Sequence, residues 1–146
     1  MKAFSLLSSF ALATSALAVN VAWDSVYDAR DGPLSSVACS DGDFGLITRF
    51  KYQKFSDVPS FPFVGGAPNI PGWNSPACGT CWNLTYTNAS GIAKTVQFTA
   101  IDAGGSDFVT GKGALDQLTN GRAEELGIAP VTATAVAASL CRLPAQ

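Results

Sequence analysis

Apolar and polar positions alternate along much of this chain. Val19, Val21 and Trp23 alternate with Asn20, Ala22 and Asp24, as do Trp82, Leu84 and Tyr86 with Asn83, Thr85 and Thr87. A period of two predicts strands that turn one face to a core. Val96, Phe98 and Ala100 keep the period less cleanly, and the Thr-, Ala- and Val-rich residues 131–140 read as a further strand. Asn88-Ala89-Ser90-Gly91 suits a hairpin connection. Helical signal is confined to residues 114–119 and 122–126, closed by Gly121 and Gly127. Residues 55–76 hold five prolines and four aromatics and read as one long ordered loop. The pattern predicts a small β-barrel.

The N-terminus changes the picture of the compartment. Lys2 precedes an apolar run over residues 4–17, which ends in Ala16-Leu17-Ala18, a small-x-small cleavage signal. The run is too short for a membrane anchor. Residues 1–18 are expected to be a signal peptide and residues 19–146 one exported domain of 128 residues (146 minus 18). Export puts the four cysteines in an oxidising setting, where Cys78-Gly79-Thr80-Cys81 reads as half of a disulfide framework. A redox dithiol or a zinc site is the lesser reading. Cys78 and Cys81 lie too close to pair with each other in such a framework, so each should reach Cys39 or Cys141.

Charge and composition narrow the chemistry. The exported domain keeps 8 basic and 11 acidic residues, a formal charge of −3, which argues against nucleic acid or an anionic membrane as partner. Few residues are charged (14%), which favours a neutral polar partner. There is no histidine, so Ser-His-Asp and Cys-His arrangements, His-ligated metals and an imidazole base are excluded. No metal or cofactor is expected, and any acid-base chemistry falls to carboxylates.

Four segments carry a resemblance. Val37-Ala38-Cys39-Ser40-Asp41-Gly42-Asp43-Phe44-Gly45-Leu46, Val64-Gly65-Gly66-Ala67-Pro68, Gly72-Trp73-Asn74-Ser75-Pro76-Ala77-Cys78-Gly79-Thr80-Cys81-Trp82 and Ile101-Asp102-Ala103-Gly104 resemble, in this order, the cerato-platanin family of small secreted fungal proteins. The resemblance implies a mainly β fold with short helices: a single six-stranded double-psi β-barrel, related to expansin and inverting-endoglucanase barrels. It also implies the pairing Cys39–Cys78 and Cys81–Cys141. Binding of chitin (N-acetylglucosamine) oligomers, expansin-like loosening of cell walls without hydrolysis, elicitation of plant defence, and residence in the extracellular space and fungal cell wall are what it implies about function. Partners would then be a chitin-type oligosaccharide or cell-wall polysaccharide, and a plant receptor.

Asp102 is the sharpest candidate for contact with such a ligand. It shares the parity of Val96, Phe98 and Ala100, ending a strand on the inward face. A carboxylate there is partly desolvated and has a raised pKa unless it is paired; the bland alternative is an Asp capping the Gly104-Gly105 turn. Asp24, beside Trp23, would be its partner if the chain were an inverting glycosidase, which needs two carboxyls at a set separation. Asp43 could line the same groove, while Asp41 is equally explained by turn chemistry. Trp73 and Tyr27 could offer flat faces to sugar rings; Trp82 should pack inward. Gly104 completes the set of candidate contacts through its motif, and no residue is assigned as catalytic. Asn83-Leu84-Thr85 and Asn88-Ala89-Ser90 are glycosylation sequons, with Asn83 on the polar strand face and Asn88 in a turn. Beside the carbohydrate-binding reading stand the inverting hydrolase and a surface-active signalling protein with no substrate.

Overall fold

The computed structural model describes residues 15–145. Most of the expected leader lies outside them, but Leu17 and Ala18 already pair with Ala133 and Thr132. Six strands close a barrel: β1 (Leu17–Trp23), β2 (Val64–Ala67), β3 (Cys81–Thr87), β4 (Ala93–Ala103), β5 (Phe108–Thr110) and β6 (Ile128–Val136). Around the barrel they run β1-β5-β2-β4-β3-β6. β1/β5 and β2/β4 are parallel and the other neighbours antiparallel. This is the six-stranded barrel the resemblance implied. Among the described residues three short helices accompany it: α1 (Leu46–Phe50), α2 (Lys112–Thr119) and α3 (Ala123–Leu126).

The inward faces of β3, β4 and β5 supply the aromatic core. Phe108 takes Trp82 edge-on at 5.2 Å and Phe98 at 5.5 Å between ring centroids. Burying rings of this size stabilises by roughly 1.5–3 kcal/mol each. The blurred period of β4 has a physical cause. Val96 and Phe98 face in while Thr95 and Gln97 face out, but Thr99, Ala100 and Ile101 are all buried. The second half of the strand has a second layer outside it: Ser60 shares a 2.6 Å hydrogen bond with Thr99, and the Cys39 amide donates to the Ile101 carbonyl.

Two expectations are corrected. Residues 55–76 are not one loop, because β2 lies inside them, between β4 and β5. β2 is buried along its whole length, so it shows no alternation, and its centre is Gly65-Gly66. Gly65 has φ +153° and a Cβ there would lie 1.9 Å from the Val109 carbonyl oxygen, so the strand crossing needs glycine. The last strand begins at Ile128 and stops at Val136, and a 3-10 turn (Ala138–Cys141) replaces the strand expected to run to residue 140. That turn delivers Cys141 to Cys81.

Both disulfides join the residues the resemblance paired. Cys39–Cys78 spans 39 residues and Cys81–Cys141 spans 60. The adjoining Cys78 and Cys81 therefore fasten two distant parts of the chain to the start of β3. α2 is fastened differently: the Asp28 carboxylate accepts from the Lys112 and Gly113 amides at 3.0 and 2.9 Å, satisfying donors at the helix N-terminus.

Candidate functional site

The ends of β1 and β4 bring Asp24, Tyr27 and Asp102 together. Asp24 follows β1, and its carboxylate accepts from the Val26 amide at 2.9 Å, starting the 3-10 turn Ser25–Asp28. That turn carries Tyr27 inward, where its hydroxyl donates to Asp102 Oδ2 at 2.9 Å. Asp102 Oδ1 accepts from the Ala38 amide at 3.0 Å and the Ala103 amide at 2.8 Å. A β-bulge opposite Gly65-Gly66 precedes Asp102, setting Gly66 opposite it. The carboxylate is thus paired, and its role is not the capping of the Gly104-Gly105 turn that the sequence allowed. It ties β4 to the first 3-10 turn and to the segment leading into Cys39.

Tyr27 departs from its expected role. It is buried and its ring lies 6.1 Å from that of Phe55, so it offers no open face to a sugar. Burial, and after it the charge and hydrogen bond of Asp102, pushes the phenol well above its ordinary range. It remains a proton donor to Asp102 over the whole physiological range. Gly104 also serves the scaffold, since its amide donates to the Ala67 carbonyl, and a Cβ would fall 2.3 Å from the Asp107 carbonyl oxygen.

A second constellation begins three residues after Ala38, within about 11 Å of chain. Trp73 is 63% exposed, and its indole N–H donates to Asp41 Oδ1 at 2.7 Å. Asn74 Oδ1 accepts from the Phe44 amide at 3.0 Å. Gly42 (φ +78°) closes the turn beneath them; a Cβ there would come within 2.5 Å of Asn74 Oδ1 and 3.1 Å of the Trp73 ring. Phe44 is itself 39% exposed, and Asp43 is exposed in the same turn. Arg49, on α1, donates to the Cys78 carbonyl at 3.0 Å and bonds the turn to the disulfide. An aromatic plate is thereby held at a fixed tilt, with carboxylate and carboxamide groups at its edge.

Trp73 is the exposed aromatic expected from its proline- and glycine-rich surroundings, and Trp82 is buried as expected. Sequence reasoning misses the part played by Asp41 and Asn74. Their signal is Gly42, whose missing side chain lets the two turns approach. Asp24, Tyr27 and Asp102 form one group; Asp43 and Trp73 belong to the other.

The bond to the indole holds the Asp41 carboxyl below the ordinary aspartate range. A depressed pKa means that the contact is present above the ordinary aspartate value of about 3.9 and lost as pH falls through the lower, folded value. In an acid titration, tryptophan emission should therefore change with a midpoint below about 3.9, and an Asp41→Asn variant should lack that step. A midpoint above about 3.9 in the wild type would contradict the bond.

A closed six-stranded barrel with two long-range disulfides and an exposed, hydrogen-bonded indole defines a class of small disulfide-stapled β-barrels. Comparison with known proteins is specific. The cerato-platanin family model matches residues 19–143, and the chain belongs to that family. It is 47% identical to a heat-stable 19 kDa antigen of Coccidioides posadasii, over 96% of this chain and 98% of that one. The crystal structure of cerato-platanin 2 from M. perniciosa superposes with a TM-score of 0.82 at 40% identity, covering 86% of this chain and 99% of the other. The solution structure of the fungal elicitor cerato-platanin gives 0.71 at 37% identity, covering 84% and 96%. Among the described residues, no helix is long and apolar enough to cross a membrane.

Proposed function

We propose that this is a secreted fungal protein that binds neutral cell-wall oligosaccharides, chitin-type oligomers foremost, without hydrolysing them. The observation that carries the reading is Trp73: an exposed indole fixed through its N–H by Asp41, with Asn74 beside it. A sugar ring presents C–H groups to such a face and hydroxyl or N-acetyl groups to the polar edge. Low charge suits a neutral ligand. Non-hydrolytic action is favoured because both Asp102 oxygens already serve the scaffold, Oδ2 holding Tyr27 and Oδ1 two amides. Asp24 is likewise engaged as a cap. The reading extends to expansin-like wall loosening. Likeness to a protein described as a fungal elicitor extends it to plant defence.

Isothermal titration with N-acetylglucosamine oligomers tests the binding. Heat of binding is expected for the wild type, and Trp73→Ala should weaken it at least about tenfold, as losing a central aromatic contact does. Its melting temperature should barely move, because the ring is mostly exposed. No heat and no NMR shifts at millimolar ligand would dismiss the proposal. Release of reducing ends from pure polysaccharide would replace it with the hydrolase.

A further inference from the structure

The two sequons sit in unlike places. Asn83 lies in the middle of β3, with Gln97 of β4 and Thr134 of β6 as its lateral neighbours. Its Oδ1 accepts from Gln97 Nε2 at 3.0 Å, and the hydroxyl of its own sequon residue, Thr85, is bonded to Thr95 at 2.7 Å. A bulky group on Asn83 would have to displace this outer-face lattice. Asn88 lies in the turn between β3 and β4. There Oδ1 accepts from the Ser90 and Ile92 amides at 3.0 and 2.9 Å, and Gly91 takes φ +77°. The carboxamide nitrogen makes no hydrogen bond among the described residues. Ala89, Ser90 and Gly91 are exposed, and Ile92 is 66% exposed beside a hollow of about 270 Å³ that Asn88 also lines.

We infer that Asn88 carries an N-linked glycan in the exported protein and that Asn83 does not. The inference rests on the reading of the protein as secreted. In the transfer, Asn88 Nδ2 forms a bond to the anomeric carbon of an oligosaccharide carried on a lipid pyrophosphate. The bond from that carbon to the pyrophosphate oxygen breaks, the lipid pyrophosphate leaves, and Nδ2 gives up one proton. The carbonyl oxygen keeps both turn hydrogen bonds, so the attachment costs the fold nothing and its first sugar can cover Ile92. A glycan is a bulky, solubilising surface group, which suits a turn and not a strand centre. Six residues of β3 separate this turn from Cys81, roughly 20 Å along the strand, so the glycan leaves the Trp73 platform open.

The test is expression in a eukaryotic secreting host, once with the chain's own leader and once with the host's. Intact mass should show one glycan, removed by peptide N-glycosidase with conversion of Asn88 to Asp. Ser90→Ala, which leaves the Asn88 turn bonds in place, should abolish it. Thr85→Ala, which destroys the other sequon, should leave it unchanged, and enzymatic removal should leave affinity for N-acetylglucosamine oligomers the same. Retention of the own-leader protein inside the cell, with glycosylated protein emerging from the host leader, would count against secretion and still support Asn88 as acceptor. Secreted protein without a glycan, or with the glycan on Asn83, overturns the inference.

Discussion

Replacing Cys81 and Cys141 together with serine should lower the unfolding free energy by about 4 kcal/mol. The bridge spans 60 residues, and closing a loop of that length restricts the unfolded chain by about this amount in the chain-entropy treatment. Native-state contacts act in the same direction. Both sulfurs are buried with Leu143, against Phe50, Tyr52 and Val136, and two serine hydroxyls would be poorly placed there. For a domain of this size the melting temperature should fall by roughly 12–20 °C. Removing Cys39–Cys78, which spans 39 residues, should cost a similar amount. Its second consequence differs: it underlies the turn at Asp41 and the Trp73 loop, so it should also weaken oligosaccharide binding under conditions where the variant is still folded. Denaturant melts combined with titrations separate the two effects. A loss below about 1 kcal/mol for Cys81–Cys141 would show that the unfolded chain is compact enough to make the staple redundant.

How far the sequence disclosed this structure depends on what each strand faces. β1 and β3 were legible because one face meets the core and the other meets water, which writes a period of two. β2 was hidden because it is covered on both faces and built around glycines needed for close approach to β5 and to the end of β4. β5 was hidden because three residues cannot display a period. In β6 the inward positions include Ala129 and Ala133, small residues that mark a face weakly, and the alanines after Val136 continue the composition without continuing the strand. Trp73 could be placed outside because so large a ring among prolines and glycines has little to pack against. Tyr27 could not be placed, because the acceptor of its hydroxyl lies 75 positions away in the chain. The same long-range bond turns Asp102 from a free carboxylate at a strand end into a fastening.

That assignment makes Asp102 the residue whose loss should cost stability before it costs recognition. In Asp102→Ala the Tyr27 hydroxyl and the Ala38 amide lose their acceptor in a part-buried setting, and each such group costs about 1–3 kcal/mol. The variant should lose roughly 3 kcal/mol in a denaturant melt, whereas Trp73→Ala should lose binding with the fold intact. Asp102→Asn keeps an oxygen for the two amides and should be milder. Alkaline pH offers a separate check on the same contact. Tyr27 is held above its ordinary value by burial first and by Asp102 second, so its protonated form is favoured by folding. This contribution is fully present below the unfolded tyrosine value of about 10 and is lost as pH rises beyond it, because the unfolded chain then releases a proton that the folded chain retains. Wild-type stability should therefore decline above about pH 10, and in Asp102→Asn the decline should end at a lower pH and be smaller in total, since burial alone then raises the phenol. Equal total alkaline losses, with Asp102→Ala as stable as the wild type, would remove Asp102 from the scaffold and return it to the ligand.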